Sequence, residues 1–102
     1  MNFNNLVAQA QQMQRKVNKL KKEFNEKEFD ITSQNDLITG KMKGDLTMTE
    51  LHIDQSLIDI EHKEDMEDLL MITMNQMIQK IEKEREDTLN KATNGVDVSA
   101  FL

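Results

Sequence analysis

The sequence of 102 residues has no cysteine, proline, tryptophan or tyrosine, and it has only three glycines. Without cysteine, neither a disulfide framework nor a thiolate metal site can form. Without proline, the residue that most strongly breaks a helix is missing. Four phenylalanines are the only aromatic residues, so core volume must come from leucine, isoleucine, valine and eight methionines. With so few large side chains, we expect part of the core to be shared between subunits.

Long apolar runs are also missing. No run approaches the roughly 20 residues that a bilayer-spanning helix needs. The first residues, MNFNNLVAQAQQ, lack the basic start and the long apolar centre of a signal peptide. We therefore expect a soluble cytoplasmic protein that forms a single domain over residues 1–102.

The net charge of -6 is unevenly distributed. Residues 1–29 carry six basic and three acidic side chains, which gives +3, and the remainder carries seven basic and sixteen acidic ones, which gives -9. This asymmetry indicates a localised basic surface on an acidic protein. The six basic residues, which we call the basic run, are Arg15, Lys16, Lys19, Lys21, Lys22 and Lys27.

Apolar residues recur every three or four positions in the first segment of the chain. This spacing predicts a helix from Phe3 to Lys27, about 37 Å long, because no glycine interrupts it. Its narrow apolar stripe suits packing against another helix. We call the stripe the apolar seam, and it consists of Phe3, Leu6, Ala10, Met13, Val17, Leu20 and Phe24.

The basic run lies mostly away from the apolar seam. The heptad positions of Arg15, Lys19 and Lys22 point away from the seam, and Lys16 and Lys21 flank it. Such a face could contact nucleic-acid phosphates. It could also be an ordinary solvated helix face, and the residues alone favour that second interpretation.

The next segments have the two-residue period of strands. Phe29 and Ile31 alternate with polar residues, and Ile38 and Met42 share one face of a second strand. A tight turn is predicted at Gly44, which tolerates a positive φ. The third strand, LTMTELHI, has two partly apolar faces, so its inner face stays unassigned. The three strands predict an antiparallel meander.

A second long helix is predicted after the meander. Asp54 is expected to cap a short helical turn through Leu57, and the acidic residues of 61–68 are expected to start the long helix. Gly95 is expected to end the second long helix, and 96–102 is expected to be a loose tail. The order α–β–β–β–α defines an α+β fold. The expected buried face of the second helix consists of Met66, Leu69, Leu70, Thr73, Met74, Met77, Ile78 and Ile81.

Three stretches resemble the YbaB/EbfC family of bacterial nucleoid-associated proteins. They are LVAQAQQMQRKVNKLKKEF, GKMKGDLTMTELHIDQSLI and MEDLLMITMNQMIQKIE. Together they extend over most of the chain, from residue 6 to residue 82. The resemblance implies a homodimer in which the sheets associate and the two long helices project. It also implies binding of DNA in the nucleoid, with broad sequence preference and a change in DNA conformation or compaction.

With that resemblance, the basic run is expected to bind the phosphates of duplex DNA. The run carries no aromatic residues on which single-stranded bases could stack, which favours the duplex. Phosphate contacts carry no direct sequence information, so broad specificity is expected. Arg15, Lys16, Lys19 and Lys22 are the expected contacts, with Lys21 and Lys27 as auxiliaries.

Other functions are less well supported by the sequence. A helical adaptor that docks another protein remains the alternative, and a membrane-surface helix is disfavoured because the stripe is narrow and flanked by glutamines. Lys80, Lys83 and Arg85 alternate with acidic residues, which indicates exposed i,i+4 pairing. No phosphate loop, nucleophile motif or metal-ligand pattern is present, so we expect no enzyme, cofactor, metal or small-molecule substrate.

Overall fold

Along the chain, a long helix is followed by three strands and then by a second long helix. The computed structural model describes residues 2–93. This order confirms the predicted α+β arrangement. The predicted stop at Gly95 and the predicted tail of 96–102 lie outside the described residues. The elements are α1 (Phe3–Glu26), β1 (Glu28–Thr32), β2 (Ile38–Lys43), β3 (Met48–Ile53) and α2 (Lys63–Ala92).

The local sequence sets the ends of both helices. At the start of α1, the Asn2 side chain accepts a hydrogen bond from the Asn4 backbone N–H at 3.0 Å. The helix ends at Glu26, one residue before the predicted end, because Lys27 adopts an extended conformation that leads directly into β1. The predicted cap at Asp54 is confirmed: its carboxylate accepts from the Ser56 N–H at 2.9 Å. Hydrogen bonding from the Ser56 backbone and side chain lowers the pKa of the Asp54 carboxyl.

The sheet has the order β1–β2–β3 with antiparallel pairing throughout. Helix α2 and the end of α1 cover its apolar face over β1 and β2, as the burial of Ile38 and Met42 shows. At β3 the face stays open, with Met48 38% and Leu51 42% exposed. The main core cluster consists of Phe24, Phe29, Ile31, Met42, Met77 and Ile81.

The predicted tight turn between β2 and β3 is present, with the Leu46 N–H donating to the Lys43 carbonyl at 2.8 Å, but the conformation predicted for Gly44 is wrong. No positive φ occurs at Gly44; the left-handed residue is Leu46, with φ 70°. Gly44 is required for another reason: a Cβ there would overlap the carbonyl oxygen of Phe24. Its N–H donates to the carbonyl of Lys27 at 2.8 Å, so the turn lies directly against the end of α1.

Leu46 is expected to be a strained position. A left-handed backbone costs a residue with a Cβ about 1–2 kcal/mol, and asparagine tolerates it better. The other two described positive-φ residues, Asn35 and Asp36, are of tolerant types. We expect Leu46→Asn to raise the free energy of unfolding by about 0.5–1 kcal/mol, measured by urea denaturation. Leu51→Asn, at a similarly exposed strand position, should not stabilise; equal effects would contradict the strain.

The two long helices pack antiparallel and form an arm. Ile81 clusters with Phe24, whereas Leu89 clusters with Val17. Later residues of α2 therefore contact earlier residues of α1. The protein measures 70 × 19 × 17 Å, and its radius of gyration of 19.3 Å exceeds the ~13 Å of a compact domain of this length. Within residues 2–93, neither helix is sufficiently apolar over its length to cross a membrane.

Candidate nucleic-acid interface

The basic run lies on the outer side of the arm. Val17 and Phe24 of α1 are buried against α2 and the sheet. At 3.6 residues per turn, Arg15, Lys19 and Lys22 project from the opposite side of the same helix, and all three are exposed. They span about 10 Å along the helix axis. The structure therefore brings these three residues together on an accessible face.

The residues that flank this face differ in exposure. Lys16 is exposed and Lys21 is half-buried beside the helix–helix contact. In the described part of the chain, neither of them, nor Arg15 or Lys22, forms an ion pair within 4.0 Å. Four of the six predicted contact residues thus carry an unpaired charge.

Lys19 has a carboxylate neighbour that leaves it available. Its Nζ lies 3.9 Å from Oε1 of Glu23, and the two side chains are 79% and 60% exposed. Exposed pairs of this kind contribute about 0–1 kcal/mol, so a phosphate can replace the carboxylate at small cost.

Lys27 sits apart from the rest of the basic run. It follows the end of α1, where its Nζ lies 3.6 Å from Oε2 of Glu84 and 5.1 Å from the centre of the Phe29 ring. These contacts link α1 to α2 and cover the edge of the core. The structure therefore places Lys27 at the base of the arm, in a packing contact.

Arg85 does not form the exposed i,i+4 pairing that its alternation with acidic residues predicts. Its guanidinium donates to the Asn25 side-chain oxygen at 3.0 Å and to the Gly44 carbonyl, and it stacks 5.0 Å from the centre of the Phe24 ring. The half-buried side chain joins α2 to the end of α1 and to the β2–β3 turn. Its position four residues after Ile81 on the buried face was the signal for this inward role.

The histidines and carboxylates of the described residues are dispersed. Among residues 2–93, no group of three histidine, cysteine, aspartate or glutamate side chains is placed to hold an ion. His52 lies 3.9 Å from Glu50, and His62 lies 3.8 Å from Asp59, on separate elements.

An arm that buries apolar side chains between its helices and exposes cations on one side suits the binding of a phosphate backbone. Fold and face together fit a small α+β nucleic-acid-binding module. The chain belongs to the YbaB/EbfC DNA-binding family, whose model matches residues 1–96. Membership confirms the resemblance and the predicted class of function, DNA binding.

Similarity to individual proteins is consistent with membership of this family. A nucleoid-associated protein of Enterococcus faecalis is 38% identical over 95 residues, which are 93% of this chain and 91% of that protein. A nucleoid-associated protein of Clostridium novyi is 31% identical over 100% of this chain and 90% of its own length. The crystal structure of an uncharacterized protein from Helicobacter pylori matches with a TM-score of 0.73 and 25% identity, covering 95% of this chain and 99% of that one.

Proposed function

We propose that this protein is a non-enzymatic, homodimeric DNA-binding protein of the bacterial nucleoid, in the cytoplasm. It holds duplex DNA through backbone phosphates and changes the conformation or compaction of the DNA. The observation that carries this proposal is the exposed, largely unpaired cluster formed by Arg15, Lys16, Lys19 and Lys22. The names of the nucleoid-associated relatives support the cellular location.

The geometry of the cluster favours sequence-independent contact. Duplex DNA carries one charge per ~1.7 Å of axis, so a cationic strip of about 10 Å faces several phosphates at once. Each lysine or arginine that neutralises a phosphate releases condensed counterions, which supplies affinity without base contacts. Sequence preference then arises from how easily the DNA deforms.

Two exposed acidic residues of α2 lie on the side of the arm away from Arg15, Lys19 and Lys22. Because the two helices bury facing stripes, their outer surfaces point in opposite directions. Glu86 and Asp87 are exposed, and at 3.6 residues per turn they project away from the α1 contact made by Ile81. Two helices side by side separate these carboxylates from the basic run by about 20 Å, more than two screening lengths in physiological salt. The net charge of -6 therefore leaves the α1 side attractive to DNA.

The homodimer is supported by exposed apolar side chains on the open half of the sheet, on the segment after β3 and on the first half of α2. A soluble monomer rarely exposes a large apolar patch, so we expect a second copy of the chain to bury these side chains. A two-fold contact would use the same patch on both protomers. We expect sedimentation equilibrium to give twice the mass of the chain; a monomeric mass would contradict this assembly. The exposed side chains are Met48, Leu51, Ile58, Ile60, Met71 and Ile72.

The test of DNA binding is a titration of a labelled duplex across a salt series. If each protomer of the dimer neutralises about four phosphates, the logarithm of the binding constant should fall with the logarithm of salt at a slope of about -7. Fluorescence anisotropy with duplexes of two unrelated sequences should give similar affinities. A protein-interaction adaptor would show no duplex affinity even at low salt.

A further inference from the structure

Three elements meet at the base of the arm. The end of α1 and the β2–β3 turn lie so close that a Cβ at Gly44 would overlap the Phe24 carbonyl oxygen, and the Gly44 N–H donates to the Lys27 carbonyl at 2.8 Å. Arg85 approaches this contact from α2. Its Nη2 atom donates to the Asn25 side-chain oxygen at 3.0 Å and also to the Gly44 carbonyl. One guanidinium therefore links both helices and the turn.

The contacts of Arg85 are directional, unlike the rest of the contact between the helices. Apolar packing has no preferred direction, so it allows one helix to rotate slightly on the other. The two hydrogen bonds of Arg85 and its stacking 5.0 Å from the centre of the Phe24 ring require one orientation of α1. The ion pair of Lys27 with Glu84 is largely exposed and constrains the helices only weakly. Among the contacts of residues 2–93, those of Arg85 therefore fix the rotation of α1 most firmly.

The rotation of α1 decides where the basic run points. Lys22 lies three residues before Asn25 and Arg15 lies ten residues before it, so a rigid helix carries any rotation at its end to charges about 5 and 15 Å away. A rotation of about 20° moves a charge that lies ~6 Å from the helix axis by about 2 Å. A shift of that size breaks a hydrogen bond to a phosphate oxygen, whose usual length is about 2.9 Å.

We propose that Arg85 is a positioning residue for DNA binding. It holds α1 in the rotation that presents Arg15, Lys19 and Lys22 to the duplex together. This role rests on the proposed contact between the basic run and DNA. Arg85 is half-buried and its Nη2 atom donates to two protein oxygens, so it acts through α1 and leaves the phosphates to the exposed cations.

Asn25→Ala tests the role with every charge in place. It removes one acceptor of Arg85 but keeps Arg85 itself, and alanine is a good helix former. The affinity for a labelled duplex at 0.1 M salt should fall about three- to tenfold, although circular dichroism shows a folded protein. Arg85→Lys, which keeps the charge but loses the planar stack on Phe24, should give a similar loss. Unchanged affinity in both variants would overturn the proposal.

Ile38→Val separates the positioning of α1 from the stability of the fold. Ile38 is fully buried in β2, outside the cluster that contains Phe24. Loss of its methylene group lowers stability without changing the contacts at the end of α1. At a temperature where all variants are folded, Ile38→Val should bind the duplex as tightly as the unmodified protein. Equal losses from Ile38→Val and Asn25→Ala would show that stability governs binding, and would overturn the proposal.

Spin labels measure the orientation of α1 without DNA, because the protein has no native cysteine. Gln11→Cys on α1 and Thr32→Cys on β1 are exposed positions for the labels, and excess unlabelled protein leaves one labelled chain per dimer. Double electron–electron resonance should give a narrow distribution of distances, which Asn25→Ala should broaden. An unchanged distribution would overturn the role of Arg85 in positioning. A broader distribution with unchanged affinity would instead place the failure in the proposed DNA contact of the basic run.

Discussion

Replacing Lys16, Lys19 and Lys22 together with glutamate is expected to abolish binding to duplex DNA. The change reverses three charges on the exposed side of α1 and removes about six phosphate contacts from a dimer. The affinity at 0.1 M salt should fall on the order of a thousandfold or more. Helicity and dimer mass should stay unchanged, because all three side chains are exposed and glutamate is a good helix former. Anisotropy titration, circular dichroism and sedimentation measure these three properties.

A matched pair of single substitutions separates position from net charge. Lys19 and Lys63 are both highly exposed, and each pairs with a glutamate four residues later, at 3.9 and 3.4 Å. Lys19→Glu is expected to weaken duplex binding about tenfold and to lower the salt slope, whereas Lys63→Glu should leave both unchanged. Equal losses would mean that total charge, and not the basic run, governs binding.

Replacing Arg85 with methionine is expected to lower the free energy of unfolding by about 2–3 kcal/mol. Methionine keeps an apolar stem over the Phe24 ring, but it leaves the Asn25 side-chain oxygen and the Gly44 carbonyl without their donor. Hydrogen bonds to a charged group contribute about 1.5–3 kcal/mol, and the lost cation–π contact adds to the loss. The midpoint of urea denaturation reports the change.

Lys83→Met is the control for Arg85→Met. It removes a cation from the same helix at an exposed position that makes no ion pair among the described residues. We expect its effect to stay within about 0.5 kcal/mol. If the two variants unfold at the same denaturant concentration, the hydrogen bonds of Arg85 contribute nothing to stability.

The helices and strands could be predicted because their signals are local. The three- and four-residue spacing of the apolar seam, without glycine or proline, placed α1 to within one residue at its end. The alternation around Phe29 and Ile31 placed β1, and both residues are buried as expected. The basic face followed from the same helical period, since it is what remains when the seam turns inward.

The contacts between distant segments could not be predicted from local patterns. Gly44 was assigned to a positive φ, but its constraint comes from Phe24, which no short sequence window contains. Arg85 lies 60 positions from Asn25 and 41 from Gly44, so its hydrogen bonds depend on how the helices and the turn assemble. The inner face of β3 stayed unassigned for the same reason, because the burial of a strand face depends on distant segments, and Leu51 is 42% exposed.

The distribution of charge across the arm limits how many duplexes one arm can hold. Arg15, Lys19 and Lys22 form a cationic cluster on the outer flank of α1, whereas the outer flank of α2 mixes Lys83 with carboxylates such as Glu86. The mixed flank offers a double helix no comparable cluster of cations. On the proposed DNA contact, a duplex would therefore lie along a single side of each arm, and any bridging of two duplexes would require two arms.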